Sequence, residues 1–501
     1  MNEKMKKIKE ILEKKAAFDD AITLLNWDLE TEAPRMAIEK KSKTLNYLSG
    51  ESYSTVINDE FKELVYSVDE NDLNELDRKI IQEIKKETFE KMKKIPKEDY
   101  QKYSEIVLVA SRVWERAKNE NNYEIFKDYL KQIIEYNKKF IKLFFRPDGS
   151  RRAEGGHYYR FVRLRHNEKV RTELSPLIKK IVKSEKKVLD EEKRKKFKSL
   201  KFDIQKQKEL SKEILDVMKF DFERGILKES EHPFTTDMGN KDVRITTHYY
   251  ENNLLSSVYS TIHEGGHALY EQHITDEISN TILGNGTSMG IHESQSRIYE
   301  NMFGRSREFL SFLYPKIEKV FDGILSKNGI TAEDLYILAN EVEESFIRIE
   351  ADELTYPIHI LIRYELEKEI FSDLDKEVDV DELAEAWADK YEKYLGIRPE
   401  TYSKGILQDV HWASGLFGYF PSYALGSAYS AQIYNTINKK VNILEELKNG
   451  EFSRINEILK NNIHQFGKTK TPKEIIKDMT GKEFDSSYYI DYLIGKFSEI
   501  Y

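Results

Sequence analysis

The chain has 501 residues, a formal net charge of −9, and 39% hydrophobic and 34% charged residues. Because single cores stop growing at roughly 250–300 residues, we expect either separate lobes or one elongated helical body. The 23 glycines and 10 prolines are fewer than an average composition gives, which predicts long helices and argues against a many-turned β-sandwich. The acidic balance argues against a global electrostatic grip on nucleic acid. The chain has no cysteine, so any metal must be held by His, Asp or Glu.

The first 145 residues are predicted to form consecutive amphipathic helices. Apolar residues recur at helical spacing at Ile8, Ile11 and Leu12 and again at Ile106, Val109 and Val113. Lys and Glu fill the opposite faces, as on a solvated helix surface. No apolar stretch fits a signal peptide or a membrane span, so we expect a soluble, cytoplasmic protein with no membrane partner.

An arginine-rich stretch, 146–171, stands out because it holds seven arginines in a chain that otherwise uses lysine. A basic binding patch, a solvated loop and a local error in the source sequence all fit this composition. The solvated loop is favoured over the binding patch because no nucleic-acid module surrounds the stretch.

The middle of the chain differs in composition and residue pattern from its helical flanks. Residues 172–230 are rich in Lys and Glu and are predicted to form helices again, whereas 242–250 is β-branched and alternating, which predicts a short strand. Helices are predicted again from about 300 to 501. Eight of the eleven histidines lie between positions 232 and 411, and histidine is the commonest metal ligand. The middle region is therefore the candidate for a metal site.

The sharpest motif is His263-Glu264-Gly265-Gly266-His267. Positions i and i+4 differ by only ~40° around a helix, so both imidazoles can face one metal ion. Glu264 lies beside the first histidine, where a general base is needed. A helix that carries these histidines only on its surface is the alternative. The two glycines weaken a helix by about 1 kcal/mol each, which points to close approach of another backbone or of substrate.

A catalytic zinc site needs a third protein ligand. His273 is excluded, because residues 268–272 should continue the helix and place it about 240° around the axis from His267. A second helix after the glycine-rich loop could instead bring Glu293 to the metal. An i,i+4 ion pair between Glu293 and Arg297 fits the sequence equally well, so the residues alone leave this role open.

These residues resemble the carboxypeptidase Taq family, the M32 metallocarboxypeptidases. Six motifs of that family stand in order: His232-Pro233-Phe234, Asp242-Val-Arg244-Ile-Thr246, His263-Glu264-x-x-His267, His292-Glu293-Ser294-Gln295, Ile347-Arg348-Ile-Glu-Ala351-Asp352 and Gly405-Ile-Leu-Gln408-Asp409-Val-His411-Trp412. The segment Trp27-Asp28-Leu-Glu30-Thr31 also fits. The likeness therefore covers nearly the whole chain, and the arginine-rich stretch departs from it.

The resemblance implies a mainly α-helical, elongated, two-lobed gluzincin fold with a deep active-site groove and a minor β element. One peptidase unit would span 1–501, with an N-terminal helical region at 1–230, a metal-site core at 231–430 and C-terminal helices at 431–501. The resemblance also implies a homodimer that holds one Zn²⁺, or Co²⁺, per subunit.

The implied metal ligands are His263, His267 and Glu293, with Glu264 as general base and then proton donor. The implied activity is metal-dependent hydrolysis of the C-terminal peptide bond, with broad specificity, in peptides that have a free C-terminus. No nucleic acid is expected among the partners.

Arg348 matches the family's arginine proposed to hold the substrate's terminal carboxylate, and an Arg fork binds a carboxylate in a bidentate way. An ion pair with Asp352, four residues on, is the alternative for Arg348. Asp352 and Asp409 are expected to orient histidines by accepting their second N–H. His411 and Tyr423 are the candidate donors to the developing oxyanion. The other motif residues are expected to support the site or to shape the groove: His232, Asp242, Arg244, His292, Gln295 and Gln408.

Two rival functions remain compatible with the sequence. A gluzincin endo-oligopeptidase would share the metal chemistry without recognising the C-terminus. A non-catalytic helical scaffold that binds peptides would bury the histidines for structural reasons.

Overall fold

A computed structural model of the protein describes residues 3–90, 96–144 and 189–501. The arginine-rich stretch 146–171 lies outside the described residues. The chain folds into two compact units. Among the described residues, unit 1 holds 3–89, 189–339 and 426–485, whereas unit 2 holds 90, 96–144, 340–425 and 486–501.

α-Helices make up most of the described chain, as predicted. In chain order they are α1 (Glu3–Thr31), α2 (Ile38–Val56), α3 (Asp59–Tyr66), α4 (Glu75–Ile84), α5 (Lys97–Asn119), α6 (Lys127–Phe144), α7 (Glu191–Ser199), α8 (Ile204–Met218), α9 (Leu254–Gln272), α10 (Asp276–Ser279), α11 (Met289–Arg297), α12 (Arg307–Val320), α13 (Ile324–Lys327), α14 (Ala332–Ala339), α15 (Tyr356–Ser372), α16 (Val380–Leu395), α17 (Pro421–Asn438), α18 (Ile443–Lys448), α19 (Ser453–Asn462), α20 (Pro472–Thr480) and α21 (Ser487–Ile500). Two π-helical turns, Lys85–Glu90 and Ile298–Gly304, directly follow α4 and α11. None of the described helices has an apolar stretch long enough to cross a membrane.

A small three-stranded sheet lies in unit 1, formed by β1 (Gly225–Glu229), β2 (Thr235–Asp237) and β3 (Val243–Thr247). β3 is central, parallel to β1 and antiparallel to β2. The strand predicted within 242–250 is therefore confirmed as β3. β1 was not predicted because it lies within the Lys- and Glu-rich stretch 172–230, where helices were predicted, and that prediction is wrong for Gly225–Glu229. β2 was not predicted because its three residues are too few for an alternating pattern.

The apolar spacing near the N-terminus marks a real core face of unit 1. Met5 and Ile8 of α1 are fully buried against α3 and α4, whose contributions include Phe61 and Ile80. Ile11 and Leu12 pack at the margin of the same cluster. Asn58 caps α3 by accepting a hydrogen bond from the backbone N–H of Phe61, which satisfies one of the free donors at that helix start.

The second apolar pattern, at Ile106, Val109 and Val113, does not mark a buried face. Val109 is 44% exposed in α5, whereas Ala110 and Ala117 are fully buried. Small alanines let α5 pack closely, and its Trp114 indole N–H donates to the carbonyl of Leu407 in the same unit at 3.0 Å. Helical periodicity was predicted correctly at this segment, but the buried face follows the alanines.

α9 forms the interior of unit 1 and packs against α8, α11 and β3. Most of its residues are buried, as expected of a helix that is covered on several sides. The side chain of Asn253 caps its start by accepting from the N–H of Ser256, and the helix ends at Gln272. The predicted continuation of this helix through residues 268–272 is confirmed.

A buried ion pair ties α21 into unit 2. The Nζ of Lys496 lies 2.6 Å from Oε2 of Glu353, and the two side chains are 9% and 2% exposed. Burial makes each charge depend on the other, since an unpaired buried charge costs several kcal/mol.

We predict that Lys496→Met lowers the free energy of unfolding by about 3–5 kcal/mol, because it leaves the Glu353 carboxylate buried without its cation. Denaturant titration of the variant measures this loss. The double variant Lys496→Met/Glu353→Met removes both charges and should recover most of the stability. A double variant as unstable as the single one would mean that packing of the lysine chain, not charge, holds the helix.

Candidate metal centre

His263 and His267 lie on one face of α9, with ring centroids 5.0 Å apart. Both side chains are partly exposed, whereas the residues between them are buried. The i,i+4 spacing therefore places both imidazoles side by side at the edge of the unit 1 core, as the motif predicts.

Glycine within the motif allows a second helix to approach. A Cβ on Gly266 would lie 2.7 Å from the carbonyl oxygen of Gln295 and 2.9 Å from Cα of Ser296, both in α11. A Cβ on Gly426, in α17, would lie 2.5 Å from Cγ of Glu293. The helix-weakening glycine at 266 thus has the reason anticipated from the sequence, the close approach of another backbone.

Glu293 of α11 faces both histidines. Its Oε2 lies 3.9 Å from Nε2 of His263 and 3.5 Å from Nε2 of His267. Its Oε1 accepts a hydrogen bond from Nε of Arg297 at 2.7 Å. The two alternatives for Glu293 are therefore compatible, because one oxygen pairs with the arginine and the other faces the histidines. Burial acts to raise the pKa of Glu293, but Arg297 and the hydrogen bond with His267 hold it below its ordinary value.

These three residues fit a divalent metal. His263, His267 and Glu293 each offer one ligand atom, and the three atoms lie within 4.8 Å of one another. Bonds of about 2 Å in tetrahedral geometry separate ligand atoms by about 3.3 Å, so only small shifts would be needed. Two imidazole nitrogens with one carboxylate are a donor set that zinc enzymes use, with the fourth position left open for chemistry.

Glu300 fixes the orientation of His263. Its Oε2 lies 2.8 Å from Nδ1 of His263, which leaves Nε2 to face Glu293. Glu300 stands on the π-helical turn Ile298–Gly304, and Arg297 and Arg305 lie 3.4 and 3.2 Å from its oxygens. Although burial acts to raise it, the pKa of Glu300 is lowered by Arg297 and by the hydrogen bond with His263. A charged carboxylate behind a ligating imidazole strengthens and orients that ligand.

His267 has a histidine, not a carboxylate, behind it. Its Nδ1 lies 2.5 Å from Nδ1 of His292, and Nε2 of His292 lies 2.7 Å from Oε1 of Glu271. Burial lowers the pKa of His267 to about 3, so its imidazole is neutral at physiological pH. Only a neutral imidazole can bind a metal.

Glu264 is buried beside the histidines. It is 7% exposed, and its Oε2 accepts a hydrogen bond of 2.6 Å from the hydroxyl of Thr235 in β2. Burial raises the pKa of Glu264 above its ordinary value, although the nearby His263 acts to lower it. A carboxylate whose pKa is raised is a better proton acceptor at neutral pH than an ordinary one.

In unit 2, Arg348 belongs to a buried polar cluster. Its Nε donates to Oδ1 of Asp409 at 3.1 Å, and its Nη1 donates to the hydroxyl of Tyr356 at 3.3 Å. Arg363 lies on the other oxygen, with its Nε 2.7 Å from Oδ2 of Asp409. Burial acts to raise the pKa of Asp409, but Arg363 and Arg348 keep it below its ordinary value. Asp409, not Asp352, is thus the ion partner of Arg348.

The chain matches the family described as Carboxypeptidase Taq (M32) metallopeptidase over residues 7–497. The chain belongs to this family. It is 40% identical over 499 residues to carboxypeptidase 1 of Bacillus subtilis, which covers 98% of this chain and 97% of that protein. Thermostable carboxypeptidase 1 of Pyrococcus furiosus is 36% identical over 503 residues, with 98% of each chain covered. A structure of Pyrococcus furiosus carboxypeptidase has a TM-score of 0.89 at 33% identity, with 99% of both chains covered.

Membership of the carboxypeptidase Taq family confirms the resemblance, the mainly helical fold and the enzyme class predicted from the sequence. The protein is a metallocarboxypeptidase, a hydrolase that acts on C-terminal peptide bonds. A divalent metal and peptide substrates follow from this membership.

Three family motifs meet around the aromatic side chain of Trp27 in unit 1. Phe234 packs edge-on against this indole with centroids 5.6 Å apart, and the Arg244 guanidinium lies 5.7 Å above it. Asp242 holds Arg244 through two hydrogen bonds of 2.7 Å. The side chain of His232 is exposed, and its carbonyl accepts from the hydroxyl of Ser230. These residues shape and brace the β1–β2 region.

The structure corrects the roles predicted for two aspartates as supports of histidines. Asp352 accepts from the backbone N–H groups of Leu354 and Thr355, and Asp409 binds two arginines. Neither accepts a histidine N–H within the described residues, because backbone amides and guanidinium groups occupy their oxygens. Burial raises the pKa of Asp352 to about 6.

The two motif glutamines, Gln408 in unit 2 and Gln295 in unit 1, each make hydrogen bonds within their own unit. Gln408 accepts from the backbone N–H of Arg348 at 3.0 Å and from Nη2 of Arg363 at 2.6 Å. Gln295 is fully buried and lies 2.8 Å from Nε2 of His464. Nδ1 of His464 in turn lies 2.9 Å from Nδ1 of His273, so the excluded ligand His273 pairs with the buried His464 and not with the metal-site histidines.

His411 and Tyr423 are in contact, with Nε2 3.3 Å from the phenol oxygen. Burial lowers the pKa of His411 to about 4, so the imidazole is neutral near pH 7. The Tyr423 ring also lies 5.1 Å from the guanidinium of Arg348. The two predicted oxyanion donors and the predicted carboxylate ligand therefore belong to one cluster in unit 2.

Sequence reasoning missed Glu271, Glu300, Thr235 and Arg363. A signal for Glu271 existed, because positions 263, 267 and 271 form one i,i+4,i+8 stripe on α9. Glu300 follows Glu293 by seven residues, which also marks a shared helix face. No pattern in the sequence singled out Thr235 or Arg363.

We predict that Gly266→Ala lowers the free energy of unfolding by about 1–3 kcal/mol and weakens Zn²⁺ binding, because the added methyl group pushes α11 and its Glu293 away. Denaturant titration and chelator competition measure the two effects. Gly495→Ala is the matched control, since that exposed glycine of α21 has nothing within 4 Å of its Cβ position. The control should gain up to about 1 kcal/mol from helix propensity; equal effects at the two positions would contradict the role given to Gly266.

Proposed function

We propose that this member of the carboxypeptidase Taq family is a zinc carboxypeptidase that removes C-terminal residues from peptides with broad specificity. The observation that carries the proposal is the convergence of two imidazole nitrogens and a carboxylate oxygen beside the buried carboxylate of Glu264. That arrangement combines a metal donor set with a base, which metal-assisted hydrolysis requires.

His263, His267 and Glu293 would hold one Zn²⁺ per subunit, with Co²⁺ as the alternative ion. When bound, the ion supplies Lewis acidity toward the scissile carbonyl and toward a water molecule. The supports on the chain are already arranged for this, because Glu300 orients His263 and Arg297 keeps Glu293 charged. With three protein ligands, a catalytic zinc site keeps its fourth position open for water or substrate.

Glu264 is the proposed base. Its buried carboxylate would take a proton from the attacking water and pass it to the nitrogen of the leaving amino acid. The hydroxyl of Thr235 donates to Oε2, which holds the carboxylate in one orientation and leaves Oε1 for the proton. A base fixed in this way transfers protons without a reorganisation cost.

Arg348 is the proposed ligand for the terminal carboxylate of the substrate. A guanidinium has five N–H groups, and the contacts to Asp409 and Tyr356 use at most three of them. The remaining N–H groups can bind a second carboxylate. His411 and Tyr423, which lie in the same cluster, are the proposed donors to the oxyanion.

The decisive experiment compares a peptide that has a free C-terminal carboxylate with its C-terminally amidated twin, each with and without a chelator. We expect release of the terminal amino acid from the free acid only, and loss of that release on metal removal. Equal cleavage of the amidated peptide would favour an endo-oligopeptidase. Absence of stoichiometric metal after mild purification would favour a non-catalytic peptide-binding scaffold.

We predict that Arg348→Met lowers kcat/KM on the free-acid peptide by about 10- to 100-fold, since a hydrogen bond to a charged group contributes about 1.5–3 kcal/mol. Asp409 keeps Arg363 as its partner in this variant, so the fold should survive. Thermal unfolding is the check that it does. An unchanged kcat/KM would show that Arg348 does not bind the terminal carboxylate of the substrate.

We predict that Glu264→Gln lowers kcat by about 10²–10⁴-fold while the protein retains its zinc, because the isosteric amide cannot accept the proton. Elemental analysis and peptide hydrolysis measure the two quantities. Glu277→Gln on the exposed side of α10 is the matched control and should leave both unchanged. Full activity of Glu264→Gln with bound metal would show that another group is the base.

The homodimer implied by the resemblance and the cytoplasmic location expected from the sequence remain predictions. We propose a homodimer in which 1–501 acts as one peptidase unit, and a cytoplasmic location. Light scattering of the purified protein and cell fractionation check these two properties.

A further inference from the structure

The two histidines of the metal centre differ in what stands behind them. Nδ1 of His263 meets a carboxylate directly, at Glu300. Nδ1 of His267 meets another imidazole nitrogen, Nδ1 of His292. Two neutral imidazoles can share a hydrogen bond only if one nitrogen carries the proton and the other accepts it. The tautomer of His292 therefore decides the tautomer of His267.

Glu271 decides the tautomer of His292. Its Oε1 lies 2.7 Å from Nε2 of His292, and a carboxylate can only accept, so Nε2 of His292 must carry the proton. Nδ1 of His292 can then accept a hydrogen bond, and in that arrangement Nδ1 of His267 is the donor to it. Nε2 of His267, which faces Glu293, is left with a free lone pair.

We propose that His292 and Glu271 are positioning residues that prepare His267 to bind the metal through Nε2. This inference deepens the proposed function and rests on it. Neither residue touches the reacting atoms, since both act through the imidazole of His267.

The surroundings of the pair indicate a fixed arrangement. Glu271 is 3% exposed, and its Oε1 also accepts from the backbone N–H of Gly286 at 3.2 Å. A Cβ on Gly286 would lie 2.6 Å from Cδ2 of His292, so the glycine backbone packs closely against that ring. The Tyr270 ring lies against the same imidazole, with centroids 5.2 Å apart.

The pair also links the two helices that carry the ligands. α9 supplies His267 and Glu271, one helical turn apart, and α11 supplies the adjacent His292 and Glu293. Each helix thus supports the other's contribution to the site. A shift of α11 along α9 would at the same time break the hydrogen-bond chain and displace Glu293.

The test measures the affinity of the full-length protein for Zn²⁺ by chelator competition. We expect His292→Leu to weaken binding by about 10- to 100-fold, the usual cost of losing a group that orients a ligating histidine. His292→Asn should lose less, because its Oδ1 can stand where Nδ1 stood and accept from His267. His248→Gln is the matched control, since His248 bonds only to the carbonyl of Ser230 among the described residues and should bind Zn²⁺ as the unmodified protein does.

If His292→Leu does not unfold cooperatively, and so is not properly folded, Glu271→Gln tests the same inference. The neutral amide accepts more weakly than a carboxylate, so about a 10-fold loss of Zn²⁺ affinity is expected. The visible absorption bands of the Co²⁺-loaded variant should shift as well, since they report on the ligand geometry. A general loss of stability would not produce that shift at saturating Co²⁺.

The outcomes distinguish a failure of the positioning role from a failure of the proposed function on which it rests. If the unmodified protein takes up no stoichiometric metal, the proposed function fails. If it does and Glu271→Gln and the folded His292 variants bind Zn²⁺ with unchanged affinity and unchanged Co²⁺ bands, the positioning role alone is overturned.

Discussion

The metal centre depends on one close contact, the approach of α11 to α9 at Gly266. No side chain fits there, because a Cβ would lie 2.7 Å from the carbonyl oxygen of Gln295. Backbone packed on backbone fixes the register of the two helices more tightly than interdigitated side chains do, since nothing flexible lies between them. The position of Glu293 relative to His263 and His267 follows from that register.

The polar groups around this contact compensate for the burial of charge. A buried carboxylate loses its hydration and would normally be protonated. Arg297 lies near both Glu293 and Glu300, and Arg305 adds a second cation to Glu300. The π-helical turn that begins at Ile298 belongs to this arrangement, because it sets where Glu300 stands after α11. Local helix irregularities of this kind are frequent at functional sites.

The sequence predicted the parts of the site that depend on local geometry. The spacing of His263 and His267 required only the pitch of a helix, and the glycine at 266 indicated a close neighbour. Glu293 could be named but not assigned, because its two possible partners lie on different elements. Glu271 and Glu300 are two of 89 acidic residues, and only the packing of α9 on α11 distinguishes them. The same limit applies to α5, where the alanines decide the buried face and the larger apolar residues do not.

Formal charges show why the two clusters suit different ligands. Around the metal centre, the carboxylates of Glu264, Glu271, Glu293 and Glu300 outnumber the guanidinium groups of Arg297 and Arg305, so this cluster favours a cation. In unit 2 the excess has the opposite sign, because Arg348 and Arg363 share the single carboxylate of Asp409. The nearby Glu367 does not balance that excess, since burial raises its pKa to about 8 and keeps it largely protonated at neutral pH. A buried cluster with one surplus positive charge is stabilised by an anion, and the free C-terminus of a peptide supplies one carboxylate.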